Sequence, residues 1–154
     1  MLIRKLKQGD IPQVLKICSD VHRYHEKLLN GYFKPQNDDF ERSAFLESLT
    51  DQQTIALVAE SENKVLGYLL ATITDVAYLI DSKVANISNF GVSQNHRRQK
   101  IGSHLMDAFL EICKERQVDS IQLGVYVQNK TACLFYEKYG FTPLSQRMTL
   151  KIPK

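Results

Sequence analysis

Hydrophobic and polar positions in the first fifty residues predict one short strand followed by two helices. Residues 2–6 alternate partly between apolar and basic side chains, as expected of a short strand. From residue 11 to residue 28, apolar residues recur at a spacing of about 3.6, which is typical of an amphipathic helix. A loop rich in turn-forming residues follows. Asp38 and Glu41 then have the pattern of a capping box, which predicts a second helix over residues 39–49.

The middle of the chain is rich in β-branched and aliphatic residues and predicts three strands and a helix. Residues 54–59 and 65–76 form two of these strands, and the polar segment between them predicts a hairpin. Residues 84–92 form the next strand. Apolar residues at helical spacing then predict an amphipathic helix over residues 101–117.

The C-terminal part of the chain predicts a strand, a short helix and a last strand. Residues 120–127 alternate as a strand does, Asn129 is positioned to cap a helix that ends at Gly140, and residues 144–152 predict the closing strand. The element order is therefore β-α-α-β-β-β-α-β-α-β. We expect an α/β (α+β) fold with a mixed, mostly antiparallel, twisted sheet and helices on both faces. The length suits a single domain over residues 1–154.

Composition narrows the class of protein without indicating a function. Of 154 residues, 44% are hydrophobic and 24% are charged, which is the balance of a folded protein and not of a disordered chain. The formal net charge of +3 is too small to indicate a nucleic-acid or membrane partner. No apolar stretch approaches the roughly 18 residues of a membrane span. Three cysteines without metal-ligand spacing (Cys18, Cys113 and Cys133) favour reduced thiols, no bound metal and a cytoplasmic location.

A basic turn joins the fourth predicted strand to the third predicted helix. Arg97, Arg98 and Lys100 lie at the N-terminus of that helix, where the unpaired amides and the helix dipole disfavour cations. A bound anion would reverse this cost, and Gly102 and Ser103 allow a phosphate to approach the backbone. A solvated basic turn is the simplest alternative. A nucleic-acid contact is less favoured, because no aromatic residues are interleaved with the cations.

The same segment resembles the acyl-CoA-binding motif of the GNAT superfamily of N-acetyltransferases, in which Gln/Arg-x-x-Gly-x-Gly/Ala follows a strand that ends in valine. Arg97 matches the first position of the motif, Gly102 matches the last, and Val92 ends the strand at the expected distance. Lys100 stands where the family usually has its first glycine. Because a left-handed lysine costs about 1 kcal/mol or more, we expect the backbone to stay right-handed at Lys100. The alternative is that Lys100 carries this strain and offers its ammonium group to the diphosphate.

A second segment near the C-terminus resembles a later motif of the same family. It begins with Asn129, continues to an aromatic–tyrosine pair at Phe135 and Tyr136, and ends with Gly140 and Phe141. Taken alone, Asn129 is explained as a helix cap and Tyr136 as a packed aromatic residue. Both motifs occur in the expected order and on the expected elements, which favours the resemblance over coincidence.

The resemblance implies an enzyme that holds acetyl-CoA and a primary amine together, so that the amine attacks the thioester directly. It implies that Phe90 to Val92 diverge from the following parallel strand and bind the pantetheine arm, with an amide near Val92 polarising the thioester carbonyl. Asn129 would hydrogen-bond the pantetheine or order the neighbouring helix, and Tyr136 would be the general acid, as a hydrogen-bond donor to the leaving thiolate. The diphosphate would be held by backbone amides and basic side chains of one segment: Arg97, Arg98, Gln99, Lys100, Ile101, Gly102 and Ser103.

The general base is left open. The strand before the turn offers Asn86, Ser88 and Asn89, none of which can take the proton of the amine. Our hypothesis is a chain of water molecules. The alternative is a residue of the N-terminal half, which offers His22, His25 and Glu26.

The acceptor and the exact function also stay open. The resemblance implies that the first two helices and their loop line the acceptor cleft, where His25, Tyr32 and Phe33 are candidate contacts. Nearby acidic residues would suit a cationic or aromatic amine. A homodimer is common in the family. The alternatives to a small-molecule or peptide N-acetyltransferase are a protein-modifying acetyltransferase of the same fold, a non-catalytic acyl-CoA-binding module and a nucleic-acid-binding module.

Overall fold

In the computed structural model of the chain, residues 1–154 are all described, and they form two compact units, residues 1–124 and 125–154. The first unit contains five strands and three α-helices, and the second contains one α-helix. The single domain expected over residues 1–154 stays a prediction. None of the helices is both long enough and apolar enough to cross a membrane.

The helices and strands follow the predicted order up to the last helix. Their bounds are β1 Leu2–Lys5, α1 Ile11–Leu28, α2 Asp38–Ser48, β2 Thr54–Ser61, β3 Lys64–Asp75, β4 Lys83–Val92, α3 Ile101–Glu115, β5 Ser120–Leu123 and α4 Lys130–Lys138. Short 3-10 turns precede α1 and α3, at Gln8–Asp10 and Gln94–His96.

The sheet of the first unit places the basic turn at one end of β4. Its strands lie in the order β1-β2-β3-β4-β5, and all neighbours are antiparallel except β4 and β5, which are parallel. The β4–β5 pairing covers residues 84–87 and 120–123, whereas β4 continues to Val92. The predicted mixed, mostly antiparallel sheet is confirmed. The last part of β4 extends beyond the paired length of β5.

Alternate residues of β3 face helices on opposite sides of the sheet. Tyr68 and Leu70 are buried in a cluster with residues of α1 and α2. Gly67 faces α3, and a β-carbon built on it would lie 3.1 Å from Ile101 Cγ2 and from Leu105 Cδ1. Since this distance is tighter than an ordinary van der Waals contact, the first turn of α3 packs directly against the strand next to β4. Helices therefore lie on both faces, as predicted.

The C-terminal part of the chain differs from the prediction. β5 ends at Leu123 and not at residue 127, and residues 141–154 contain neither a helix nor a strand, so the predicted strand over residues 144–152 is wrong. Apolar side chains of this segment are exposed, at 78% for Leu144 and 84% for Met148. An alternating pattern forms a strand only where a neighbouring strand accepts its hydrogen bonds, and the sheet pairs only β1 to β5.

Candidate active site

The candidate site of the first unit begins at the end of β4. Val92 is paired opposite Gly67 of β3, and the amide of Ser93 donates a hydrogen bond to the Leu66 carbonyl at 2.8 Å. Because hydrogen-bonded and non-hydrogen-bonded pairs alternate along an antiparallel ladder, the amide and carbonyl of Val92 point away from β3, toward the side where β5 lies. Phe90, two residues earlier, has the same orientation. This is the direction that the predicted role of the Val92 amide requires.

Two basic residues of the turn adopt the left-handed backbone conformation. Arg98 has a φ of +64°, and Lys100, the N-cap residue of α3, has a φ of +60° with a ψ of 11°. The prediction that the backbone stays right-handed at Lys100 is therefore wrong. Ile101, the next residue, is only 3% exposed. Its packing determines where α3 begins and outweighs the cost of about 1–2 kcal/mol that a left-handed non-glycine residue carries.

The turn combines left-handed backbone conformations with positive charge at the start of α3. The Lys100 side chain does not cap α3, and the first turn of α3 contains no acidic residue. Arg97, Arg98, Gln99 and Lys100 are exposed, Gly102 and Ser103 are half-buried, and Ile101 is buried. Positive charge and helix amides are thus concentrated at the solvent-facing start of α3.

Arg97 contacts two other elements of the first unit. Its Nε donates to the carbonyl oxygen of Val92 at 3.4 Å. Its guanidinium carbon lies 5.8 Å from the centre of the Tyr24 ring, on α1. A cation at this range over an aromatic face is attracted by the ring. The contact between Arg97 and Tyr24 was not predicted from the sequence. The sequence feature that could have indicated it is the aromatic character of the second half of α1.

The predicted acceptor residues His25, Tyr32 and Phe33 lie together in one aromatic cluster. The ring centre of Phe33 is 5.1 Å from that of Tyr32, 5.4 Å from that of His22 and 6.4 Å from that of His25. Burial, with a smaller contribution from His22, lowers the pKa of His25 below its ordinary value. His25 is therefore neutral at neutral pH. A contact between this cluster and the acceptor stays a prediction.

A carboxylate of α2 reaches the strand before the turn. Asn37 caps α2, because its side chain accepts hydrogen bonds from two amides of the first turn, at 3.0 and 3.4 Å. The predicted capping box of Asp38 and Glu41 is therefore wrong, although the asparagine before the helix was a signal for the correct cap. Glu41 Oε2 instead lies 3.5 Å from Nδ2 of Asn89 on β4. No sequence pattern connects these two positions.

The second unit carries the residues of the second motif. Asn129 is the N-cap of α4, and its side chain accepts a hydrogen bond from an amide of the first turn at 3.2 Å. Tyr136 is half-buried and packs edge-on against Phe135 and Phe141, with ring centres 5.4 and 5.6 Å away. Burial, with a smaller contribution from Cys133, raises the pKa of Tyr136 to about 12. Asn129 is thus a helix cap and Tyr136 is a packed aromatic residue. The roles of both residues toward coenzyme A stay predictions.

Comparison with known proteins gives the same family by sequence and by structure. Residues 21–141 match the model of the acetyltransferase (GNAT) family. An N-alpha-acetyltransferase of Sulfurisphaera tokodaii is 26% identical over 147 residues, which are 90% of this chain and 78% of that protein. An L-amino acid N-acetyltransferase of Escherichia coli is 31% identical over 125 residues, which are 79% of this chain and 72% of that protein.

The fold is shared with solved structures. A mutant of the BH1408 protein from Bacillus halodurans superimposes with a TM-score of 0.86 at 26% identity, over 99% of this chain and 100% of that one. The residues matched by the family model include both the basic turn and the second motif. Enzymes of this family use acetyl-CoA as co-substrate. The chain therefore belongs to the GNAT family of acetyltransferases, and it is an N-acetyltransferase of that family.

Proposed function

We propose that this enzyme transfers the acetyl group of acetyl-CoA to a primary amine of a small molecule or peptide, by direct attack in a ternary complex. The observation that carries the proposal is the left-handed basic turn between β4 and α3. Arg98 and Lys100 hold φ angles of +64° and +60° there, at the exposed N-terminus of a helix. The turn follows directly on a strand end whose Val92 amide points away from β3.

The turn binds the diphosphate of coenzyme A through the backbone amides of residues 99–103. Arg97, Arg98 and Lys100 surround these amides with positive charge. Strained backbone conformations concentrate at ligand sites, which supports this role for the left-handed Lys100. A carboxylate in the first turn of α3 would repel a phosphate, and this turn contains none.

The strand end positions the thioester. The amide of Val92 donates a hydrogen bond to the thioester carbonyl as the amine nitrogen forms the new C–N bond and the C–S bond breaks. Removing one such donor from an acyl-transfer site lowers the rate by ~10²–10³. Phe90 to Val92 bind the pantetheine arm along the part of β4 that extends beyond the pairing with β5, and Asn129 contributes to pantetheine binding.

Tyr136 assists departure of the thiolate as a hydrogen-bond donor. With a pKa of about 12, Tyr136 is a much weaker acid than a thiol. Relative to a thiol of pKa about 8.5, complete proton transfer from Tyr136 would be uphill by about 5 kcal/mol. The proton of the amine leaves through water, because Asn86, Ser88 and Asn89 of β4 cannot accept it. A His25→Ala variant with an unchanged pH–rate profile supports the water chain over His25 as base.

Isothermal titration with acetyl-CoA tests the turn, and release of free thiol in the presence of amines tests the transfer. We expect Arg98→Gln to weaken acetyl-CoA binding about tenfold, since a charge-assisted contact is lost. Lys114→Gln is the matched control, because it removes one positive charge at the other end of α3, where Lys114 is 72% exposed. Equal losses in both variants contradict the turn as the binding site. No thiol release with any amine contradicts the transfer.

A further inference from the structure

The side chains of Glu41 and Asn89 connect α2 with the strand that precedes the turn. Asn89 lies on β4 directly before the residues proposed to bind pantetheine, and its Nδ2 is 3.5 Å from Oε2 of the half-buried Glu41. The position of this carboxylate therefore places a negative charge beside the strand on which the thioester is proposed to lie.

The core of the first unit fixes the orientation of the Asn89 amide. The Tyr68 hydroxyl, on a residue only 1% exposed, donates to Asn89 Oδ1 at 2.6 Å. Burial, reinforced by Cys18 and Glu41, raises the pKa of Tyr68, so this hydroxyl stays a donor. Since the amide oxygen is used by Tyr68, the amide nitrogen faces Glu41 and the Cys18 sulfur, each at 3.5 Å. A chain of hydrogen bonds thus runs from the core to one carboxylate oxygen.

Neither helix capping nor an ion pair accounts for this position of Glu41. Asn37 already caps α2. None of the ion pairs within residues 1–124 includes Glu41. The helix dipole favours acidic residues in the first turn, which contains Asp38, Asp39 and Glu41, but Asp38 and Asp39 satisfy that preference while exposed. A half-buried carboxylate held by a neutral amide has an uncompensated charge, which a cationic ligand can neutralise.

A cleft lies beside this contact, between α2 and the sheet. Ala44, one turn after Glu41 on α2, and Ser88, the residue before Asn89, line the cleft, whereas Glu41 and Asn89 themselves do not. Its volume is about 390 Å³, which is the size of a small-molecule site. Leu70, the cross-strand partner of Asn89, lines it. The polar lining residues are Glu47, Ser48, Asp51, Thr54, Thr72 and Ser88, and no lysine, arginine or histidine lines the cleft. The cleft therefore suits a cation or a neutral polar group and disfavours a carboxylate.

We infer that Glu41, held in place by Asn89, binds the ammonium group of the acceptor, and that the rest of the acceptor occupies this cleft. The inference rests on the proposed function and deepens it by naming the class of acceptor. The accepted amines have a neutral or cationic skeleton, and a free carboxylate next to the amine is excluded. Glu41 is then a specificity-determining residue, and it is supplied by α2 and not by β4.

Steady-state kinetics with L-alaninamide and L-alanine tests this inference, because the two amines differ only in an amide and a carboxylate. We expect the wild type to have at least a tenfold higher kcat/KM for L-alaninamide. Glu41→Gln should raise the KM for L-alaninamide by about 10- to 50-fold, since a charge-assisted hydrogen bond is lost, with kcat changed much less. The affinity for acetyl-CoA, measured by titration, should change less than twofold.

Two further variants keep the test decisive. Asp39→Asn removes the same charge from the same turn of α2 and should leave the KM unchanged. Glu41→Asp keeps the charge and should recover part of the affinity for the amine, including the case in which Glu41→Gln fails to fold. An active wild type with an unchanged KM in Glu41→Gln, or with no preference for L-alaninamide, contradicts the inference alone. A wild type that binds no acetyl-CoA contradicts the proposed function and the inference with it.

Discussion

The guanidinium carbon of Arg97 lies 5.8 Å from the centre of the Tyr24 ring. This contact joins the turn after β4 to the second half of α1. The ring of Tyr24 is also 5.8 Å from that of His25, so the same helix supports the turn and carries the aromatic cluster. The first cation of the proposed diphosphate site is therefore positioned by a residue outside the motif.

Replacing Tyr24 with leucine should weaken acetyl-CoA binding about three- to fivefold, because an exposed cation–π contact contributes about 0.5–1 kcal/mol to the position of Arg97. Isothermal titration measures this change. Tyr78→Leu is the control, since Tyr78 is 88% exposed and far from the motif in the chain. If Tyr24→Leu binds acetyl-CoA as tightly as Tyr78→Leu does, the contact with Arg97 has no role in binding.

Replacing Lys100 with glycine should stabilise the protein. The residue has a φ of +60°, where a β-carbon is strained. Relieving the strain should raise the free energy of unfolding by about 1 kcal/mol and the Tm by about 2–4 °C. Lys100→Ala removes the same charge but keeps the β-carbon, so the difference between the two variants in a thermal melt isolates the backbone effect. A lower Tm for glycine than for alanine would contradict the left-handed conformation.

Replacing Tyr136 with phenylalanine should lower kcat by ~10²–10³, because the hydrogen bond to the leaving thiolate is lost. The affinity for acetyl-CoA should hardly change. Because the pKa of Tyr136 is raised to about 12, the tyrosine stays protonated through the neutral and mildly basic range. The wild-type rate should therefore show no decline from ionisation of this residue below about pH 10. Stopped-flow thiol release across that range measures both effects, and an unchanged kcat in Tyr136→Phe removes the residue from the mechanism.

The ion pair of Arg4 and Asp10 should make stability depend on acidic pH. The hydrogen bonds from Arg4, at 2.7 and 2.9 Å, and from the Lys7 amide, at 2.8 Å, lower the pKa of the buried Asp10 below 3.8. The stabilisation is complete above the unfolded-state pKa and disappears as the pH falls through the lower folded-state value.

Asp10→Asn should accordingly lower the free energy of unfolding by about 2–3 kcal/mol at pH 7, since a buried charged hydrogen bond is broken. The difference from wild type should shrink as the pH falls below the unfolded-state pKa of an aspartate, about 3.9. Urea unfolding at both pH values measures this. Glu62→Gln, an exposed carboxylate in the β2–β3 turn, serves as the charge control. An equal difference at both pH values would show that Asp10 has no depressed pKa.

The sequence predicts the order of the elements up to α4, and it does so most directly where an apolar face is buried. On α3, Leu105 and Phe109 are completely buried, so their helical spacing is a direct consequence of packing. The strand predicted over residues 144–152 has an alternating pattern but no partner in the sheet. A pattern of side chains carries no information on which strand would accept the hydrogen bonds, and the prediction is wrong for that reason.

The sequence identifies the residues of the basic turn but not the backbone conformation of that turn. Arg97 and Gly102 stand at the motif positions, but the handedness of Lys100 is decided by the burial of Ile101, which a local preference does not include. The contact between Glu41 and Asn89 joins residues on separate elements. It depends on how α2 packs on the sheet, and this is a property of the fold.

A crystal structure of the protein with coenzyme A would locate the diphosphate directly. The oxygens of the diphosphate should accept hydrogen bonds, at about 2.7–3.2 Å, from backbone amides between Gln99 and Ser103. A well-ordered coenzyme A whose diphosphate lies away from these amides would show that the basic turn is not the binding site.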